Sequence, residues 1–189
     1  EPTLGNLTDE ARFKALGEEG VLGLICDSTN AMREGVSPSE EDVSEGIAKV
    51  IENAPGRVAI TSFSSNVGRI ISIAQAAEKT GREVVLLGRS LRRVVDVSSE
   101  LGYMDGLKPL ISEDEFAALP RDKVVMILTG TQGEPSAALA KLSRDDHPRI
   151  HLTAGDTVVF SSRSIPGNEN AILDIKNRLI DYGVDIVTD

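Results

Sequence analysis

Residues 57–88 read RVAITSFSSNVGRIISIAQAAEKTGREVVLLG, and this stretch decides the fold. Arg57 to Ser62 is a short apolar run with little alternation, the pattern of a strand buried on both faces. A polar turn, Ser62-Phe63-Ser64-Ser65-Asn66, leads into Val67, Ile70, Ile71, Ala74 and Ala77 at helical spacing. The helix stops near Gly81, and a second apolar run follows from Glu83 to Gly88. Strand, helix and strand in this order form a βαβ unit, which makes the two strands parallel.

The same alternation extends in both directions. Further runs occupy Val21 to Cys26, Lys123 to Thr129, Thr157 to Phe160 and Val184 to Val187, with a shorter one near Pro109 to Ile111. The expected fold class is α/β, a doubly wound, mainly parallel sheet of about five to seven strands with helices on both faces. Helices are expected at Thr8 to Leu16, after the capping box Ser37-Pro38-Ser39-Glu40, after a Ser90 cap, after a second capping box Ser112-Glu113-Asp114-Glu115, and from Asn168 to Gly183. Val43, Ile47, Val50 and Ile51 supply one apolar stripe; Leu91, Val94, Val95 and Leu101 another; Ile172, Ile175 and Leu179 a third. With 40% hydrophobic but only 3% aromatic residues and no tryptophan, the core is built from Val, Ile, Leu and Ala. Residues 1–189 read as a single domain, and the final strand runs to the last residues, which points to a piece of a longer chain.

Composition also sets limits on function. A net charge of −10 disfavours a stand-alone nucleic-acid binder, since such proteins carry basic surfaces. The single cysteine, Cys26, sits in an apolar run and reads as a small core residue; it leaves no disulfide framework and fits a reducing compartment, so a cytoplasmic location is expected. No secretory signal is visible in residues 1–10 and no apolar run is long enough for a membrane helix, so no membrane partner is expected. His147 and His151 are the only histidines and flank Pro148 without acidic or cysteine ligands at metal spacing. No metal site is expected within the chain, and His147 is expected to fix its own loop.

In doubly wound sheets ligands bind beyond the carboxyl ends of the strands. Those ends are small and polar here: Asp27-Ser28-Thr29-Asn30, Ser62 to Asn66, Gly88-Arg89-Ser90, Thr129-Gly130-Thr131-Gln132-Gly133-Glu134, and Ser161-Ser162-Arg163-Ser164. Ser65 and Asn66 open a helix, where unpaired amides and the dipole favour a phosphate; ordinary N-capping by the same residues needs no ligand. Asp27 either holds a histidine in place or caps its own turn. Neither a Walker loop nor a dinucleotide Gly-x-Gly-x-x-Gly turn is present.

Taken in order, these strand ends resemble the β-CASP domain of the RNase J family of bacterial ribonucleases. The resemblance rests on Cys26-Asp27-Ser28-Thr29-Asn30-Ala31 with Pro38-Ser39-Glu40, on Phe63-Ser64-Ser65-Asn66-Val67 with Arg69, and on Gly88-Arg89-Ser90. Leu101-Gly102-Tyr103, Thr129 to Pro135, Gly155-Asp156-Thr157, Phe160-Ser161-Ser162 and Ile165-Pro166-Gly167-Asn168-Glu169 extend it over essentially the whole chain. It implies an RNA-guiding lid inserted into a metallo-β-lactamase domain of the same polypeptide, with residues 1–19 as the lead-in helix at the boundary. It further implies two divalent metal ions, zinc in most members, and endonucleolytic and 5′-to-3′ exonucleolytic cleavage of RNA. A homo-oligomeric parent is compatible with it. By the same resemblance Asp27 supports an active-site histidine, and Ser65, Asn66 and Val67 contact a nucleotide phosphate. The family's His-x-His-x-Asp-His motif is absent from this sequence, so the chain alone is expected to be inactive. The alternative is a small-ligand or nucleotide-binding α/β module without catalysis; a purely structural docking domain is a third reading.

Overall fold

A computed structural model describes residues 5–28, 31–32, 34–35 and 38–188. Packing divides the chain into two compact units, Glu1–Asp42 and Val43–Asp189.

The second unit is built on the expected βαβ pattern. Its strands are β1 (Val58–Thr61), β2 (Glu83–Leu87), β3 (Val124–Leu128), β4 (Thr157–Phe160) and β5 (Asp185–Thr188). All pair in parallel, in the order β2-β3-β1-β4-β5. In register, Val58 lies between Val125 and Thr157, and Thr61 between Leu128 and Phe160.

Successive residues point to opposite faces of a strand, and here both faces are covered, so the runs are apolar throughout. Val58, Ile60, Val125 and Ile127 pack on one face against Ile47, Ile51, Ile70, Ile73, Leu91 and Val95. Those residues come from helices α2 (Glu40–Asn53), α3 (Val67–Lys79) and α4 (Arg89–Glu100). Ala59, Val124, Met126, Leu128 and Phe160 pack on the other face against Phe116, Leu139, Leu142, Ile172, Ile175 and Leu179. That layer is α5 (Glu113–Phe116), α6 (Ala138–Ser143) and α7 (Glu169–Asp181). The central strand β1 feeds α3 on the first face, while its neighbour β4 feeds α7 on the second. Their connections therefore leave for opposite faces, and this switch point between β1 and β4 marks the crevice position at which such sheets bind ligands.

Several local expectations need correction. Val21 to Cys26 is not a strand: the run is irregular, with Leu22, Leu24, Ile25 and Cys26 exposed. A strand needs a partner edge, and no strand occurs among the described residues of the first unit, whose one complete helix is Glu10–Glu19, here α1, capped by Asp9 rather than opened at Thr8. Cys26 is thus not a core residue. Pro109 to Ile111 contributes only a single parallel bridge, Ile111 to Val85, on the β2 edge. The cap of α2 sits two residues later than expected, because Ser39 and Asp42 satisfy each other's amides: the Ser39 amide donates to Asp42 Oδ2 at 2.9 Å and the Asp42 amide to Ser39 Oγ at 3.1 Å. Ser37 lies outside the described residues. Helix α4 is entered through Gly88 at φ 133°, so Ser90 falls inside the first turn rather than capping it. Leu101, at the end of α4, is exposed. The Ser112–Glu115 capping box is present, and so is the Asn168 to Gly183 helix. Helix α6 lacks a side-chain cap and was not expected from the sequence.

His147 does fix its loop. Its Nδ1 accepts from the amides of Arg149 at 3.4 Å and Ile150 at 3.3 Å. Burial holds its pKa below the ordinary value of 6.5, against an opposing pull from Glu113. The folded state thus prefers neutral His147, and the unfolded chain takes up its proton first as pH falls. Stability is expected to be complete above pH 6.5 and to decline as pH drops through that value toward the lower folded pKa. Urea unfolding of wild type and His147→Asn between pH 7.5 and pH 5 checks this: part of the pH slope should vanish in the variant, whose side-chain oxygen still accepts the two amides.

Candidate functional site

The crevice is built from the turn after β1 and the loops after β3 and β4. After Thr61 the chain turns through Ser62 to Ser65, with the Asn66 amide donating to Phe63 O at 3.0 Å. Asn66 is the N-cap of α3 and accepts the Arg69 amide on Oδ1 at 3.0 Å, while the Val67 amide donates to Ser65 O at 3.0 Å. The Gly68 amide between them, in the first turn, has no intrahelical acceptor. Ser65 is exposed; Asn66 and Val67 are half-buried. The three residues read from the sequence as a phosphate site therefore lie together at the start of a thirteen-residue helix, at the end of the central strand.

Arg69, one turn into α3, is only 6% exposed and donates from Nη1 to Ser161 O at 2.7 Å. Ser161 Oγ in turn donates to Thr61 O, and Thr61 Oγ1 to Val159 O at 3.3 Å. The ends of β1, β4 and α3 are thus tied at the floor of the crevice.

A second tie escaped the sequence reading. Gln132, in the loop after β3, is buried, and its amide reaches across to the loop after β4. Nε2 donates to Arg163 O at 2.9 Å, and Oε1 accepts from the Ile165 amide at 2.8 Å and Asn168 Nδ2 at 3.2 Å. The next residue, Gly133, has φ 76° and lies so close to α7 that a Cβ would stand 2.7 Å from that of Ala171. Only the glycine in the Gln-Gly pair hinted at this; nothing in the sequence identifies the partners of the amide.

Asp27 lies in the first unit, exposed, at the end of the irregular apolar run. The Ala31 amide donates to Ser28 O at 3.0 Å. Among the described residues no group of three or more His, Cys, Asp or Glu is arranged to hold a metal ion. His151 pairs instead with Asp145 at 2.5 Å. The described residues thus do not themselves supply a two-ion centre. A separate groove of about 620 Å³ runs beside α4 and the β2 edge, lined in part by Arg92, Met104, Leu107 and Lys108, and contains none of the expected site residues. No helix among the described residues is long and apolar enough to cross a membrane.

The family model for the "Ribonuclease J, beta-CASP domain" matches residues 55–179. A protein named Ribonuclease J from Sinorhizobium meliloti is 66% identical over 189 residues, covering 100% of this chain and 34% of the relative. Ribonuclease J of Mycolicibacterium smegmatis is 43% identical over 99% of the chain and 34% of its own length. Ribonuclease J of Thermus thermophilus is 41% identical over 96% of the chain and 32% of its own length. The chain therefore spans about a third of the length of these relatives. With a family model covering most of the crevice-forming unit and relatives matching nearly every residue, the chain belongs to the β-CASP domain family of Ribonuclease J.

Proposed function

We propose that this chain is the RNA-guiding lid of a metal-dependent ribonuclease of the cytoplasm, with a nucleotide phosphate seated at Ser65, Asn66 and Val67. The observation that carries the reading is the start of α3. An N-terminus whose Gly68 amide has no intrahelical acceptor stands beyond the central strand, in a crevice floored by the buried Arg69 cation. Family membership supports RNA as the ligand and hydrolysis as the reaction of the longer polypeptide. The two metal ions belong, on this reading, to a metallo-β-lactamase domain elsewhere in that polypeptide, and the chain alone is inactive. The exposed Leu22, Leu24 and Ile25 support this, because an exposed apolar run of this size calls for cover by a neighbouring surface. Asp27, immediately beyond that run, orients an active-site histidine of the other domain.

Titration of wild type and Asn66→Asp with a short 5′-phosphorylated oligoribonucleotide tests the phosphate site. Aspartate caps a helix as well as asparagine, so stability should change by less than about 0.5 kcal/mol. Its charge opposes the phosphate, and affinity should fall about tenfold, equivalent to about 1.4 kcal/mol. Unchanged affinity would remove Asn66 from the site. A mononucleotide bound as tightly as the RNA would favour the small-ligand module instead.

A further inference from the structure

The loop after β4 is exposed in its side chains but pinned in its backbone. From one side Arg69 holds Ser161 O and Ser161 Oγ is spent on Thr61 O. From the other, the buried Gln132 amide holds Arg163 O, the Ile165 amide and the Asn168 side chain. Between these anchors stand two residues to which no role has been assigned. Ser162 Oγ is buried and has no hydrogen-bond partner among the described residues. A buried hydroxyl in that position is desolvated without return, which calls for an explanation such as a bound polar group. Arg163 carries an exposed guanidinium on a backbone whose carbonyl is fixed.

The acidic residues of the same loops are held on backbone amides within them. Glu134 Oε2 accepts from the Gln132 amide at 3.0 Å, and Glu169 Oε2 from the Gly167 amide at 2.7 Å. Arg163 is thus a cation on a preorganised support at the mouth of the crevice. The start of α3 and this loop leave adjacent strands, and neighbouring strands are only about 4.8 Å apart. The loop therefore flanks the α3 turn, at a place suited to the next phosphate of a chain rather than to the same one.

We propose that Arg163, presented by the Gln132 clamp, is a second phosphate contact for single-stranded RNA, beside the phosphate taken by Ser65 to Val67. The proposal rests on the RNA reading given above. It separates an oligonucleotide from a nucleoside monophosphate, because only the former has a second phosphate to offer.

The test is anisotropy titration of this chain with a labelled, 5′-phosphorylated oligouridylate at several salt concentrations, alongside calorimetric titration with uridine 5′-monophosphate. Arg163→Ala should weaken oligouridylate binding several-fold and lower the slope of log affinity against log salt by about 0.7, the loss of one single-strand phosphate contact. Uridine monophosphate affinity should not change. Arg163→Lys should restore the slope, because the charge returns. Gln132→Ala should weaken oligouridylate binding while keeping the wild-type slope, since it loosens the support without removing a charge. Wild-type binding with an unchanged slope in Arg163→Ala overturns the Arg163 assignment alone. Wild-type protein that binds neither probe overturns the Ser65 to Val67 reading with it.

Discussion

Replacing Asp156 by alanine is expected to lower the unfolding free energy by about 3 kcal/mol, the largest stability effect of any polar substitution considered for this chain. The carboxylate is fully buried where β1 and β4 begin. Its Oδ1 accepts from the Arg57 amide at 2.9 Å and its Oδ2 from the Thr153 amide at 3.1 Å. Arg121 Nη2 lies 2.9 Å from Oδ1. Alanine leaves two amides with no acceptor, and each orphaned donor costs about 1–1.5 kcal/mol in this setting. Arg121 adds little, because its side chain is 42% exposed and returns to water. For a chain of this size about 3 kcal/mol corresponds to a fall in Tm of roughly 6–12 °C. Urea denaturation should show the loss as a lower midpoint at constant m-value. Asp156→Asn, which keeps one acceptor, should lie between wild type and alanine. Asp156 sits at the amino ends of the strands, away from the crevice, so the folded variant should bind 5′-phosphorylated RNA as wild type does. A loss below about 1 kcal/mol would show that water satisfies the two amides and that the carboxylate does not tie the strands.

The second large effect concerns chemistry. In the longer polypeptide, Asp27→Ala is expected to slow RNA cleavage by roughly 10- to 100-fold, the usual range when a carboxylate that orients a functional histidine is removed. Binding of 5′-phosphorylated RNA should stay within about twofold, because the proposed phosphate contacts lie at Ser65 to Val67 and Arg163. Asp27→Asn should keep the shape but not the charge, and so remain slow if the carboxylate sets the histidine's orientation and basicity. Asp27 is exposed, so Asp27→Ala should change the stability of this chain by less than about 1 kcal/mol. Cleavage at the wild-type rate would return Asp27 to the simpler role of shaping its own turn. A large drop in stability would assign it to the fold instead.

Much of the architecture was readable from the chain because its signals are short-range. Val67, Ile70, Ala74 and Ala77 mark one face of α3 by spacing alone, and Gly81 with φ 70° marks its end. The unalternating runs at β1, β3 and β4 announced strands covered on both faces, and they are. The α3 start was legible for the same reason: Asn66 caps an amide only three residues away. The Ser112 capping box is equally local.

Where the pattern alone misled, a distant partner was the deciding factor. Val21 to Cys26 has the composition of a buried strand, yet strand formation depends on an edge to pair with, and the described part of its own unit contains none. Its apolar residues and Cys26 stand exposed as a result. The same holds for the polar clamps of the crevice. The partners of Gln132 lie 31, 33 and 36 residues away, and Arg69 meets Ser161 across 92 residues.

Local spacing set the βαβ alternation, the two-faced burial of the strands and the polar helix start at Ser65 and Asn66, because periodicity and capping act over three or four residues. Only the tertiary structure decided that β1 lies between β3 and β4, that Gln132 and Arg69 brace the loop carrying Ser162 and Arg163, and that the Val21 run is exposed. Those outcomes depend on which strands become neighbours, and strand order is set by long-range burial rather than by any local spacing.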